Sequence, residues 1–255
     1  MDRPLAATPG AGYLPVRRPL AKRVLRRMPE LAFYGWVGLS LVLLFWLLNW
    51  LLPGLRTHVL FFPLWLGYVL LVDALVLRRR GTSILTRSPG GFALLFVCSA
   101  AIWWLFEFFN WRTQNWQYLG GEQTSGLTYV LLASLSFSTV VPAVFGTAEL
   151  VRSAGWMRRL ADGPRLVPTP RVLNAMFGIG IAMLALPLIW PTYFYPLVWG
   201  SVFFLAEPVN AWLGRRSLLG YLRQGDWRPV VALALGALVC GFFWELWNYY
   251  SYPKW

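Results

Sequence analysis

Two glutamates carry the residue pattern most suited to chemistry. Glu107 lies in Trp-Trp-Leu-Phe-Glu-Phe-Phe-Asn and Glu245 in Phe-Phe-Trp-Glu-Leu-Trp-Asn. In each, an asparagine follows three residues later (Asn110 and Asn248), and residues three apart share a helix face. Aromatic side chains crowd both acids: Trp103, Trp104 and Phe108 near the first, Trp244 and Trp247 near the second. Carboxyls in such surroundings are candidate acid–base catalysts for an apolar ligand, and the ring faces can stabilise a cationic intermediate. The same pattern also serves as architecture, because Glu–Asn pairs can hold helices together and Trp belts mark membrane interfaces.

Further polar groups fall within apolar stretches, where ionisable side chains are costly and suggest function by default. Asp73 and Glu207 form a second acidic pair; Asp73 is expected to reach the Arg78–Arg79–Arg80 cluster, and Glu207 precedes Pro208. Residues 110–126 mix Trp, Tyr, amides and glycines, so Trp116 and Tyr118 are candidate ligand contacts on a loop lying over a lateral opening. Ser134, Ser136, Ser138 and Thr139 precede Pro142 and can satisfy the carbonyl that a proline leaves free. Glu149 is expected near Arg152.

The elements that must position these groups follow from composition. Of 255 residues, 58% are hydrophobic and 13% charged, with 16 Trp, 11 Tyr and 17 Phe. Mean hydropathy is +0.53. That balance, together with unbroken apolar runs, excludes soluble, disordered and fibrous classes and gives a polytopic helical membrane protein. A span needs roughly 20 apolar residues to cross ~30 Å of hydrocarbon. Seven are expected, at about 32–52, 59–77, 91–110, 126–148, 172–190, 194–213 and 229–250. The fifth and sixth form a tight hairpin around Pro191 and Thr192.

The net charge of +13 belongs to topology rather than to nucleic acid, since the basic residues sit in the gaps between apolar runs. Alternate gaps hold 20 of the 23 Lys and Arg. The excess marks the cytoplasmic side, so the N-terminus is expected inside and the C-terminus outside, in a cell inner (plasma) membrane. Residues 1–30 show no signal-peptide cleavage site and read as a basic cytoplasmic arm that can lie on anionic headgroups or dock on a partner.

An internal repeat is also expected. Phe61-Phe62-Pro63-Leu64 with Gly67 matches Phe194-Tyr195-Pro196-Leu197 with Gly200, and Asp73 matches Glu207. Arg80-Gly-Thr-Ser83 matches Arg216-Ser217, and Glu107 and Asn110 match Glu245 and Asn248, all at offsets of 133 to 138 residues. The fold class is therefore all-α, with two parallel three-helix repeats joined by a linker helix (3+1+3) and a pseudo-twofold axis along the membrane normal. The segments are the arm 1–30, a first repeat 31–122, a linker helix and cytoplasmic loop 123–170, and a second repeat 171–255.

Cys98, Cys240 and the single His58 give neither a disulfide framework nor a zinc site. Lys22 and Lys254 both lie outside the spans, so no retinal Schiff base is expected. There is no nucleotide or metalloprotease motif. No cofactor is expected, though there is room for a bound lipid or carotenoid.

The order Phe106-Glu107, Trp116-Gln117-Tyr118, Gly126 and then Pro142 with Glu149 resembles the membrane-integral lycopene cyclases and the related carotenoid hydratases. Those proteins often duplicate a three-span half. After Pro142 this chain has Ala-Val-Phe-Gly in place of the family's adjacent carboxylates. The resemblance implies acid–base chemistry on an isoprenoid, with Glu107 as proton donor or base. Two other classes stand beside it: a small-solute or proton-coupled carrier, and a non-catalytic subunit of a larger membrane assembly that binds pigment or lipid through its Trp-rich faces.

Overall fold

A computed structural model describes residues 30–54, 57–120 and 125–254. The expected N-terminal arm, apart from Glu30, lies outside the described residues. Among those residues the chain is helical, with one isolated antiparallel bridge between Leu119 and Lys254. The helices are α1 (Phe33–Leu51), α2 (Thr57–Arg80), α3 (Ile84–Arg87), α4 (Pro89–Thr113), α5 (Gly126–Phe137) and α6 (Val140–Arg152). After a 3-10 turn at Gly155–Leu160 come α7 (Pro170–Ile189), α8 (Pro191–Phe194), α9 (Leu197–Trp212), α10 (Leu218–Arg223) and α11 (Arg228–Asn248).

Among the described residues, six helical stretches are long and apolar enough to cross a membrane: α1, α2, α4, α5 with α6, α7 and α11. In hydrocarbon a helix satisfies its backbone polar groups internally, and such runs can take few other forms. The sixth expected span, 194–213, is shorter than anticipated. Its helix α9 has 16 residues, about 24 Å of rise against a ~30 Å core. Pro191 and Pro196 lie close together here, and each removes a ladder donor and crowds the preceding turn. The backbone therefore turns at Tyr195–Pro196 between α8 and α9.

Packing is closest where glycines let backbones meet. A Cβ on Gly38 of α1 would lie 2.7 Å from the Gly67 carbonyl oxygen and 2.7 Å from the Leu71 nitrogen of α2. A Cβ on Gly236 of α11 would lie 2.9 Å from the Ala148 nitrogen of α6. Helix α7 packs on α9, while α6 contacts α2, α4 and α11. The third helix of each expected half leans on the other half: α4 meets α7 and α8, and Trp247 of α11 packs against Trp46 of α1 and Trp65 of α2.

The fourth span is broken between α5 and α6 at Ser138–Thr139. Pro142 cannot donate to the Ser138 carbonyl, and Ser99 of α4 braces the gap. Its hydroxyl donates to the Phe137 carbonyl (2.5 Å) and accepts from the Val141 N–H (3.0 Å). Thr139 Oγ1 donates to the Ser136 carbonyl at 2.8 Å.

All described arginines except Arg112 gather at one end of the bundle. There Glu149, at the same helix end as Arg152, takes both Arg87 nitrogens at 2.8 Å and Arg80 at 3.3 Å. Asp73 is buried, and its oxygens accept from the Tyr34 hydroxyl (2.8 Å) and the Leu85 N–H (3.1 Å) in place of the arginines expected. Glu207, also buried, accepts from the Leu219 N–H at 2.6 Å.

Candidate ligand cavity

At the end opposite most of the arginines, the bundle holds a half-open cavity of about 380 Å³. Its walls come from both expected halves and from the fourth span. Helix α4 contributes Trp103, the following loop Trp116 and Tyr118, α9 Trp199, and α11 Trp244 and Glu245. Helix α2 supplies His58 and Phe61, α5 supplies Tyr129, Ser136 and Phe137, and the C-terminal segment supplies Pro253 and Lys254. The lining is dominated by rings, with few polar groups among them, which is the usual make-up of a small-molecule site.

The two chemically promising acids occupy different positions. Glu245 lines the cavity itself. Glu107 stands behind it: the Tyr118 hydroxyl donates to Glu107 Oε1 at 2.6 Å and the Trp116 indole N–H donates to the same oxygen at 3.0 Å. Trp103 Nε1 approaches the Tyr118 oxygen at 3.5 Å. Burial, and then the neighbouring Glu107, push the Tyr118 phenol above the ordinary tyrosine range, so it remains a proton donor. The arrangement can pass a proton between a ligand and Glu107 through Tyr118, or exchange one directly at Glu245.

Local sequence explains how the loop is held. Helix α4 starts on Ser88, whose hydroxyl accepts from the Gly91 N–H at 3.1 Å, with Pro89 in its first turn. It ends at Gln114, which adopts a left-handed conformation (φ 49°). Asn110 then fastens the turn. Its Oδ1 accepts from the N–H groups of Asn115 (2.8 Å) and Trp116 (3.2 Å), and its Nδ2 donates to the Trp116 carbonyl (2.8 Å). Asn248 has a similar place at the end of α11, where the Ser251 hydroxyl donates to its Oδ1 at 3.1 Å. Both asparagines therefore position chain segments that reach the cavity. Those segments meet where the Leu119 N–H donates to the Lys254 carbonyl (2.7 Å) and the Lys254 N–H to the Leu119 carbonyl (3.2 Å).

Of the aromatic residues singled out by sequence, Trp103, Trp116, Tyr118 and Trp244 are brought together on the cavity. Trp104 lies beside it and donates to Ser134 Oγ at 2.9 Å. Trp247 is fully buried between α1, α2 and α11, where its carbonyl accepts from Asn49 and Trp50. Phe108 faces away, 63% exposed on the outer surface of α4. Asp73 and Glu207 lie at the arginine-rich end, remote from the cavity. Sequence reasoning missed Tyr129, Phe137, Trp199 and Lys254 as cavity residues. Trp199 packs against Phe106 (5.0 Å between ring centres, nearly parallel), Trp116 (5.1 Å) and Trp103 (6.2 Å). Its one sequence signal is that it falls 134 residues after Trp65, the offset that links Asp73 to Glu207.

The fold and site define a polytopic helical membrane protein with an aromatic cavity at the end of the bundle opposite most of its arginines. No protein-family model, no curated protein and no solved structure matches the chain.

Proposed function

We propose that this is a seven-span protein of two parallel three-helix repeats whose cavity holds one end of a lipid or isoprenoid and exchanges protons with it. Glu245 and the Tyr118–Glu107 pair are the proton-transfer groups. The observation that carries this reading is the placement of Tyr118, bonded to Glu107 at 2.6 Å, in the same ring-lined cavity as Glu245. The resemblance to the lycopene cyclases points to the same chemistry, and a cavity of about 380 Å³ suits an isoprenoid end group better than a whole carotenoid.

Three pairs of contacts support the duplication. Asp73 and Glu207 each accept from the backbone N–H twelve residues later, in the first turn of a short helix begun by Ser83 or Ser217. Gly38 lies against residues 67–71 of α2, and Gly180 of α7 lies against Phe204 and Leu205 of α9. Trp65 packs on Trp244 at 4.9 Å, and Trp199 on Phe106 at 5.0 Å. The gathering of arginines at one end favours a cytoplasmic N-terminus and an inner-membrane location, with the cavity on the external side.

The test does not require a named substrate. Purified protein incubated with a total lipid extract in D2O should place deuterium at carbon in one lipid class, detected by mass spectrometry. Glu245→Gln and Glu107→Gln preserve shape and remove the titratable proton, so each should abolish labelling. Unlabelled lipid with wild-type protein would leave the non-catalytic, lipid- or pigment-binding subunit of a membrane assembly in its place.

A further inference from the structure

The cavity combines three features that a hydrocarbon ligand would not use together. Its walls are rich in aromatic faces, including Trp103, Trp116, Trp199 and Trp244; it contains the Glu245 carboxylate; and among the described residues its one Lys or Arg side chain is Lys254. Aromatic faces beside a carboxylate form the usual seat for an organic ammonium, because the ring quadrupole and the negative charge both attract it. Lys254 is suited to a phosphate, to which an ammonium bonds as a compact point charge.

Depth and size agree with that chemistry. Glu245 is three residues from the end of α11, about 4.5 Å along the axis, which places it near headgroup depth. A volume of about 380 Å³ is many times the ~10–15 Å³ of such space that a single water needs. That is the scale of a polar headgroup, with the acyl chains left in the surrounding bilayer.

We infer that the cavity recognises the zwitterionic headgroup of a phospholipid, its ammonium held by Glu245 and the ring faces of the lining and its phosphate by Lys254. The inference rests on the cavity being the lipid site, takes the lipid and not the isoprenoid form of that reading, and is independent of proton transfer there. A hydrocarbon tail makes no use of either charge, and an anionic headgroup would face Glu245.

The full chain in maltoside detergent, titrated with dihexanoylphosphatidylcholine below its micelle concentration, should show a saturable change in tryptophan fluorescence. Dihexanoylphosphatidylglycerol should give none. Glu245→Gln should weaken phosphatidylcholine binding by about tenfold, the scale of one lost cation contact. Lys254→Ala should weaken phosphatidylcholine and leave the response to tetramethylammonium, which lacks a phosphate, as in wild type. Trp199→Phe, which keeps a ring, should bind with intermediate strength, and circular dichroism checks that every variant stays helical. Equal responses to phosphatidylcholine and phosphatidylglycerol, or a titration unmoved by Glu245→Gln, would overturn the inference. Deuterium labelling reads a different event, so headgroup binding without labelling removes only the proton chemistry, and labelling without headgroup selectivity removes only this inference.

Discussion

The Tyr118 hydroxyl lies 2.6 Å from Glu107 Oε1, and the phenol, not the carboxylate, is among the groups that line the cavity. Glu107 therefore reaches a ligand through Tyr118. Tyr118→Phe removes the transferable proton while Trp116 still holds Glu107 at 3.0 Å. Deuterium transfer should fall by about 10²–10⁴-fold, the usual range for a lost general acid or base, with lipid binding intact. Unchanged labelling by Tyr118→Phe would leave Glu245 as the only route.

The acids at the other end should act on stability alone. Asp73→Ala leaves the Tyr34 hydroxyl and the Leu85 N–H without their acceptor, and Glu207→Ala does the same to the Leu219 N–H. Each of these orphaned groups is half-buried, so each costs about 1 kcal/mol, the lower end of the range for a lost partner. Both variants should unfold at lower temperature in detergent, Asp73→Ala by the larger margin, with lipid binding unchanged in the surviving folded fraction.

How far the sequence reveals this molecule depends on which physical signal is local. Hydropathy runs locate six of the long helices because span length is a property of consecutive residues. The sixth expected span fails the same test because Pro196 breaks the chain two residues after its expected start and leaves the 16-residue α9. Glu245, Trp103 and Trp244 are legible because rings flank the acids within one helical turn. Phe108 shows the limit: it adjoins Glu107 in sequence but points a different way from the helix, and crowding in sequence does not encode direction. Trp199 and Lys254 reach the cavity only through contacts between distant helices and segments. The register is also subtler than the matched prolines suggest. Pro63 and Pro196 are 133 residues apart, whereas buried Leu64 and Val198, and the Asp73 and Glu207 contacts, follow an offset of 134.

Close helix packing sets a second stability prediction. Gly38→Ala drives a methyl group against the backbone of Gly67 and Leu71, and Gly236→Ala drives one against Ala148. Backbone cannot move aside as a flexible side chain can, so each should destabilise by about 1–3 kcal/mol, the range for overpacked interiors. Thermal unfolding followed by circular dichroism measures this, and a midpoint equal to wild type would show that the helices separate without cost.

Acid should loosen the arginine-rich end through Asp226. Burial raises its carboxyl, but hydrogen bonds from the Arg228 side chain (2.7 and 2.8 Å) and backbone (3.1 Å) outweigh this and hold it below the ordinary value of 3.8. A carboxyl lowered by folding contributes stability above its unfolded value and loses it as pH falls through the folded one. Wild type should thus lose more stability than Asp226→Asn between neutral pH and about pH 3. Parallel pH profiles for the two proteins would contradict this role.

Occupancy of the cavity by lipid is tested most directly by native mass spectrometry of the detergent-purified chain. Wild type should carry one tightly held lipid per chain. Ala133→Trp, which places a large ring on the α5 wall of the cavity, should release that lipid while the protein stays folded. A bare wild-type chain, or an adduct that survives Ala133→Trp undiminished, would contradict the cavity as the lipid site.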